Sequence, residues 1–277
     1  MDSRRMCPHC RAFITNKDRI CPYCNEAVGA RAIDRRNPSD LLGGFIPHAR
    51  FNTVLILLIN FGLFLVSVIF SMKAGNSSAF WGLDVRTLIA FGASFGPALA
   101  AGQWWRLVTA GFLHGGLFHI LMNSWVLFDL GAQVEEVFGA ARMWVIYFLS
   151  TVGGFYLSAH WHPMSPSVGA SAALYGLIGA MIALGVSHRN AMGQAIRGMY
   201  IRWAIYGLVI SVLVPYIDIA AHVGGLVVGF GVAYVAGQPR VEGSAVERLW
   251  TAASWLCVLL TVLSFLSMYL WFSQNLQ

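Results

Sequence analysis

The stretch SVGASAALYGLIGA, residues 167–180, sets Ser171 among small apolar side chains, and the tract around it, 143–188, holds no Asp, Glu, Lys or Arg. A tract of that length without charge suits hydrocarbon better than water. Outward from it the rest of the chain reads the same way. Of 277 residues, 57% are hydrophobic and 11% charged, where a soluble domain carries about 25% charged residues, so most of the chain belongs in lipid. A bilayer core takes about 20 predominantly apolar residues per helical span. Seven runs qualify: 51–72, 117–134, 143–160, 170–187, 201–215, 219–237 and 249–273. The run 88–101 is also apolar, but it is short and carries Gly92, Gly96 and Pro97. It is expected to be an interfacial or re-entrant element. The fold class is therefore an all-α polytopic membrane protein.

Charge orients the spans, because cytoplasmic loops collect Lys and Arg. With seven spans, one orientation keeps inside the first 50 residues, with nine Lys and Arg, together with Arg142, Arg189, Arg197, Arg202, Arg240 and Arg248. Only Lys73, Arg86 and Arg106 then lie outside. The amino terminus is expected to be cytoplasmic, and the net charge of +6 reflects topology rather than nucleic-acid binding. The first 50 residues are polar and the first apolar run is of full spanning length, which argues against a cleavable signal peptide.

The amino-terminal segment is a separate unit. CPHC at 7–10 and CPYC at 21–24 are two CxxC pairs, a spacing that lets two tight knuckles surround one tetrahedral metal. A reducing cytoplasmic compartment disfavours two disulfides, so Cys7, Cys10, Cys21 and Cys24 are read as ligands of a structural Zn2+ with no open position. His9 is assigned to solvent or to support of the knuckle, and Cys257 to packing. Residues 1–26 form this zinc-ribbon-like unit, 27–50 a linker, 51–240 a membrane core, and 241–277 a linker and a last span.

If the first span runs inside to outside, spans two, four and six all begin at the outer surface. Their first turns carry the polar residues: His114, His119 and Asn123 in HGGLFHILMNSW, Ser171 and Tyr175 in GASAALYG, His222 in IAAHVGGLVVG. Ionisable or polar groups at one depth in three helices call for a function. A serine hydroxyl becomes a nucleophile when a base takes its proton, and neutral histidine is the base suited to neutral pH. Ser171 and His222 meet that minimum. The Asn123 amide, a suitably protonated His119 and amides near Ser171 are candidate oxyanion donors. Taken singly, each of these residues also fits packing or interhelical hydrogen bonding. Tyr175, one turn after Ser171, is placed either on the His222 ring or at the membrane interface. Asp218, one turn before His222, is the near candidate for the acid of a triad but is read more simply as capping span six or contacting solvent, and Asp129 as a bundle-facing structural carboxylate. Ala172, Gly176 and Ala180 on span four, with Ala221, Gly225 and Gly229 on span six, form stripes of small residues that let two backbones approach.

These residues resemble the rhomboid intramembrane serine proteases over roughly 51–240. The resemblance rests on WWR at 104–106, the His119-x-x-x-Asn123 pair, Gly131-x-x-x-Glu135-x-x-x-Gly139 followed by Arg142, GAS at 169–171 and AHVGG at 221–225. It implies a six-helix core with one appended C-terminal helix (6+1) and a site open to the extracytoplasmic side. It further implies a Ser171/His222 dyad with His119 and Asn123 at the oxyanion, and structural roles for Arg106 and Glu135. Ala172 departs from the family's usual GxSG. The expected activity is that of an intramembrane serine endopeptidase cutting transmembrane protein substrates, with no cofactor for catalysis. The expected setting is a multi-pass protein of a bacterial inner membrane, in contact with the lipid bilayer, whose zinc unit is free to meet a cytoplasmic partner. Two other classes fit parts of the pattern: a non-catalytic relative that binds membrane clients, and a proton pathway through His119, His222, Asp129 and Glu135. Reaction with a serine-directed phosphonate separates the protease from both.

Overall fold

The computed structural model describes residues 4–7, 9–15, 18–26, 28, 50–239 and 243–275. Apart from Val28 and Arg50, the linker expected at 27–50 lies outside the described residues, as do Arg240 and the start of the segment expected at 241–277.

In the amino-terminal unit, β1 (Arg4–Met6) pairs antiparallel with β2 (Phe13–Thr15), Met6 opposite Phe13. The two knuckles are built alike. Arg11 and Asn25, each directly after the second cysteine of its pair, have φ of 60° and 58°, and their amides return to the carbonyls of Cys7 and Cys21 at 2.9 Å.

The first span is α1 (Phe51–Lys73). Residues 88–101 do not span: they lie in two short helices, α2 (Val85–Ala90) and α3 (Gly96–Ala100), and the loop joining them. Asp84 caps α2 and also accepts from the Ser71 and Thr87 hydroxyls at 2.7 and 2.8 Å. Burial works against its charge, but these donors outweigh burial and hold its carboxyl down at about 2. A single turn, α4 (Arg106–Thr109), leads to α5 (Leu117–Val126), which runs through a π turn at Leu127–Gly131 into α6 (Ala132–Trp161). At about 1.5 Å per residue a straight helix of that combined length would far exceed a hydrocarbon core of about 30 Å. The run breaks at Gly139, with φ 79° and ψ 159°, so the spans read at 117–134 and 143–160 are its two arms. The remaining helices are α7 (Ser171–Ser187), α8 (Ala191–Leu213), α9 (Ile219–Ala236) and α10 (Ala245–Asn275). Among the described residues, five helical stretches are long and apolar enough to cross a membrane; the one at Leu117–Trp161 contains the break, and α7 is a shorter apolar helix.

Thirteen of the seventeen residues of α7 are buried, which is why its sequence is apolar all round rather than on one stripe. It packs on α6, α8 and α9. The small stripes make the closest crossing: a Cβ on Gly225 would strike the Ala172 carbonyl, and one on Gly229 would strike the backbone of Gly176. Gly179, outside the expected stripe, stands against the Leu226 carbonyl in the same way.

Three buried polar groups tie the ends together. Glu135 accepts from the amides of Asn52 and Thr53 at 2.9 and 3.1 Å, closing the open amino end of α1. Arg106 is fully buried, donates to Gln103 Oε1 and the Ile89 carbonyl at 2.7 Å each, and lies over the rings of Trp105 and Trp271. Arg142 makes a two-pronged buried ion pair with Glu247 of α10 at 2.6 and 2.8 Å. The first two agree with the roles implied by resemblance; the pairing of Arg142 was not legible, because sequence offers no partner so far along the chain.

Two expectations need correction. Asp129 does not face the bundle: it is exposed, and its carboxylate accepts from Gln133 Nε2 at 3.0 Å. It lies six residues from Asn123, roughly 120° round an α-helix, and the π turn alters the register further. The helix of the fifth span begins ten residues earlier than read, because Asn190 caps α8 through the Gly193 amide at 2.8 Å and the helix carries Arg197 and Arg202 in its first half.

Candidate active site and cysteine cluster

The polar residues of three helices meet at their amino-terminal turns. Ser171 is the first residue of α7 and partly exposed; His222 lies one turn inside α9 and is buried. Ser171 Oγ stands 2.8 Å from His222 Nε2. The Tyr175 ring stacks on the imidazole, centroids 4.2 Å apart and planes 17° off parallel, so of its two expected positions Tyr175 takes the one on His222. His222 Nδ1 is 3.0 Å from Ser211 Oγ of α8. Asp218 does not orient the histidine: its carboxylate caps α9 through the Ala221 amide at 3.0 Å and bonds the Ser158 hydroxyl.

His119 and Asn123, on one face of α5, approach the turn before Ser171 from the other side. Gly169 has φ 133°, and a Cβ there would stand 2.7 Å from His119 Nε2 and 3.5 Å from Asn123 Nδ2. Glycine is therefore needed both for the backbone angle and for the approach. The Gly115 amide donates to His119 Nδ1 at 3.4 Å, so the neutral ring carries its proton on Nε2, the nitrogen beside Gly169. Asn123 Nδ2 is 3.2 Å from His114 Nε2; an amide nitrogen can only donate, so one of its protons goes to His114 and the other is left free. The first amides of a helix have no intrahelical acceptor, and Ser171 opens α7. All four residues expected at the site thus gather around one turn. Sequence reading missed the parts of His114 and Ser211, since each acts on another site residue rather than forming a motif.

Ala172 is fully buried, and its methyl faces Gly154 of α6, where a Cβ would stand 2.9 Å from it. The departure from the usual glycine is matched by a missing side chain opposite.

At the other end of the chain, the four sulfurs of Cys7, Cys10, Cys21 and Cys24 lie within 4.8 Å of one another and could hold a metal ion. The Cys7–Cys24 and Cys10–Cys21 separations are 3.6 Å. That is near the edge of a tetrahedron with metal–sulfur bonds of about 2.3 Å, and far from the roughly 2.05 Å of a disulfide. His9 is exposed.

The Rhomboid domain family model matches residues 101–239. The chain belongs to the rhomboid family and is an integral, multi-pass membrane protein. It is 36% identical over 169 residues to the rhomboid protease GluP of Bacillus subtilis (strain 168), covering 61% of this chain and 33% of that protein. It is 33% identical over 168 residues to RHOMBOID-like protein 6, mitochondrial, of Arabidopsis thaliana, covering 60% of this chain and 55% of the relative. It is 32% identical over 160 residues to inactive RHOMBOID-like protein 8 of the same plant, covering 57% and 46%. The chain spans between about a third and just over half the length of these relatives. A protease and an inactive protein both stand among them, so catalysis has to be argued from the site itself.

Proposed function

We propose that this protein is an intramembrane serine endopeptidase that hydrolyses peptide bonds in or beside transmembrane segments of other membrane proteins. The observation that carries the reading is the 2.8 Å contact between Ser171 Oγ and His222 Nε2. Ser171 Oγ attacks the scissile carbonyl carbon while His222 Nε2 takes its proton. The oxyanion that forms is met by the free Asn123 N–H, the His119 Nε2–H and the Ser171 amide. The imidazolium then returns its proton to the departing amine nitrogen as the C–N bond breaks, leaving an acyl-serine. Water, deprotonated by His222, hydrolyses that ester and restores the hydroxyl. No metal takes part.

The proposed architecture keeps 51–240 as the protease core, 27–50 as a linker and 241–277 as a linker plus appended helix. The amino terminus is proposed to be cytoplasmic in a bacterial inner membrane, and the 1–26 unit to carry a structural Zn2+ on its four cysteines and to be free for a cytoplasmic partner. The test of the reaction is a fluorophosphonate adduct. Mass spectrometry should map it to Ser171 in the native protein, and it should be missing from His222→Ala. A native protein left unmodified under conditions that label a known serine hydrolase would place it with the inactive relatives.

A further inference from the structure

His222 has two ring nitrogens, and the proposed reaction uses one of them. Nε2 faces Ser171; Nδ1 faces Ser211 Oγ at 3.0 Å in a contact buried from solvent. The same Ser211 oxygen stands 2.7 Å from the Gly207 carbonyl, one turn back on α8. A carbonyl oxygen only accepts, so the single hydroxyl proton of Ser211 is committed to Gly207. What Ser211 offers His222 is a lone pair, and Nδ1 must bring the proton. A neutral imidazole carries one N–H, which leaves Nε2 bare to accept from Ser171.

We infer that Ser211 is a positioning residue for the base: an uncharged acceptor that fixes the Nδ1–H tautomer of His222 and aims Nε2 at Ser171. The inference rests on the reading of Ser171 and His222 as nucleophile and base. It gives Ser211 the place a carboxylate takes in three-membered serine hydrolase sites, without placing a charge in the bundle interior, where an unpaired carboxylate is costly. The acid nearest in sequence, Asp218, is occupied as the cap of α9. Packing holds Ser211 in position. It is 4% exposed, and a Cβ at Gly207 would collide with the Tyr175 hydroxyl, so α8 lies close to α7 at this level. Three helices thus share one chain of hydrogen bonds: α7 carries the nucleophile, α9 the base and α8 the group that orients it.

The test combines kinetics with nitrogen-15 spectra of histidine-labelled protein in detergent, His222 being assigned by difference from His222→Ala. The native spectrum should show His222 protonated at Nδ1 and bare at Nε2, and Ser211→Ala should show a mixture of tautomers. Ser211→Ala should lower kcat by about 5–100-fold, the effect of one lost buried hydrogen bond, with KM unchanged, and Ser211→Thr should recover most of it. A native His222 protonated at Nε2, or a Ser211→Ala protein with native kcat and native spectrum, would overturn the inference. If the native protein neither cleaves nor takes up phosphonate, the protease reading fails, and the spectra still decide whether Ser211 sets the tautomer.

Discussion

Ser171 alone says little, since a serine in an apolar helix satisfies itself against its own backbone. Its meaning comes from what surrounds it, and much of that was legible: His222 and His119 occupy the first turn, and Asn123 the second, of helices expected to start at one surface. Ser211 was not legible, because it lies at the far end of α8 and acts only through the hidden nitrogen of His222. The functional weights of these residues should differ. His222→Ala is expected to abolish turnover, whereas Asn123→Ala should cost roughly 10²–10³-fold in kcat, as loss of one oxyanion donor does. Measuring kcat for both in detergent checks the division of roles. Ala172 belongs to the same scale. Because its methyl points at Gly154, Ala172→Gly should keep activity within a few-fold while lowering the melting temperature. A large loss of turnover from that change at unchanged stability would show that the methyl shapes the nucleophile turn.

At the scale of elements, the apolar runs located the spans, but the ends of those runs misled wherever a charge has a private solution. Arg197 and Arg202 interrupt the hydropathy of the fifth run, yet they sit within a capped helix, where long side chains can reach outward. Arg142 was counted among the loop arginines, but Glu247 buries it. That pair explains how α10 is held at one end. At the other, Trp271 covers Arg106, and Phe272 sits 5.4 Å from Phe70 and 5.3 Å from Phe91. Glu247→Ala should therefore destabilise the protein by about 3–5 kcal/mol, because it strands a buried guanidinium. The double change Arg142→Met with Glu247→Leu should restore most of that loss. Denaturant unfolding in detergent would check it, and equal stability of the single and double variants would show that the pair does not anchor the helix.

For the whole molecule, the break at Gly139 and the short helices over 88–101 fit the seven crossings proposed from the distribution of arginines. The gathering of the four cysteines was legible from their spacing, since CxxC pairs dictate their own knuckles; what the unit touches was not, because recognition surfaces leave no periodic signature. Replacing Cys7 and Cys10 together by serine should remove a single bound zinc per chain, read by metal analysis, and leave cleavage intact in the full-length protein. Loss of cleavage in that variant would tie the unit to catalysis. The proposed orientation opens the site near the outer surface, and an intact helix hides its carbonyls, so substrates should be cut near their extracytoplasmic ends, where Gly or Pro loosens the helix. The measurement that bears most directly on the central claim is reconstitution into liposomes with a single-span substrate, followed by mapping of the cut. The native protein should release a fragment cut in the outer part of the segment, and Ser171→Ala should release none. Turnover by Ser171→Ala, or cuts confined to the cytoplasmic half, would contradict the account.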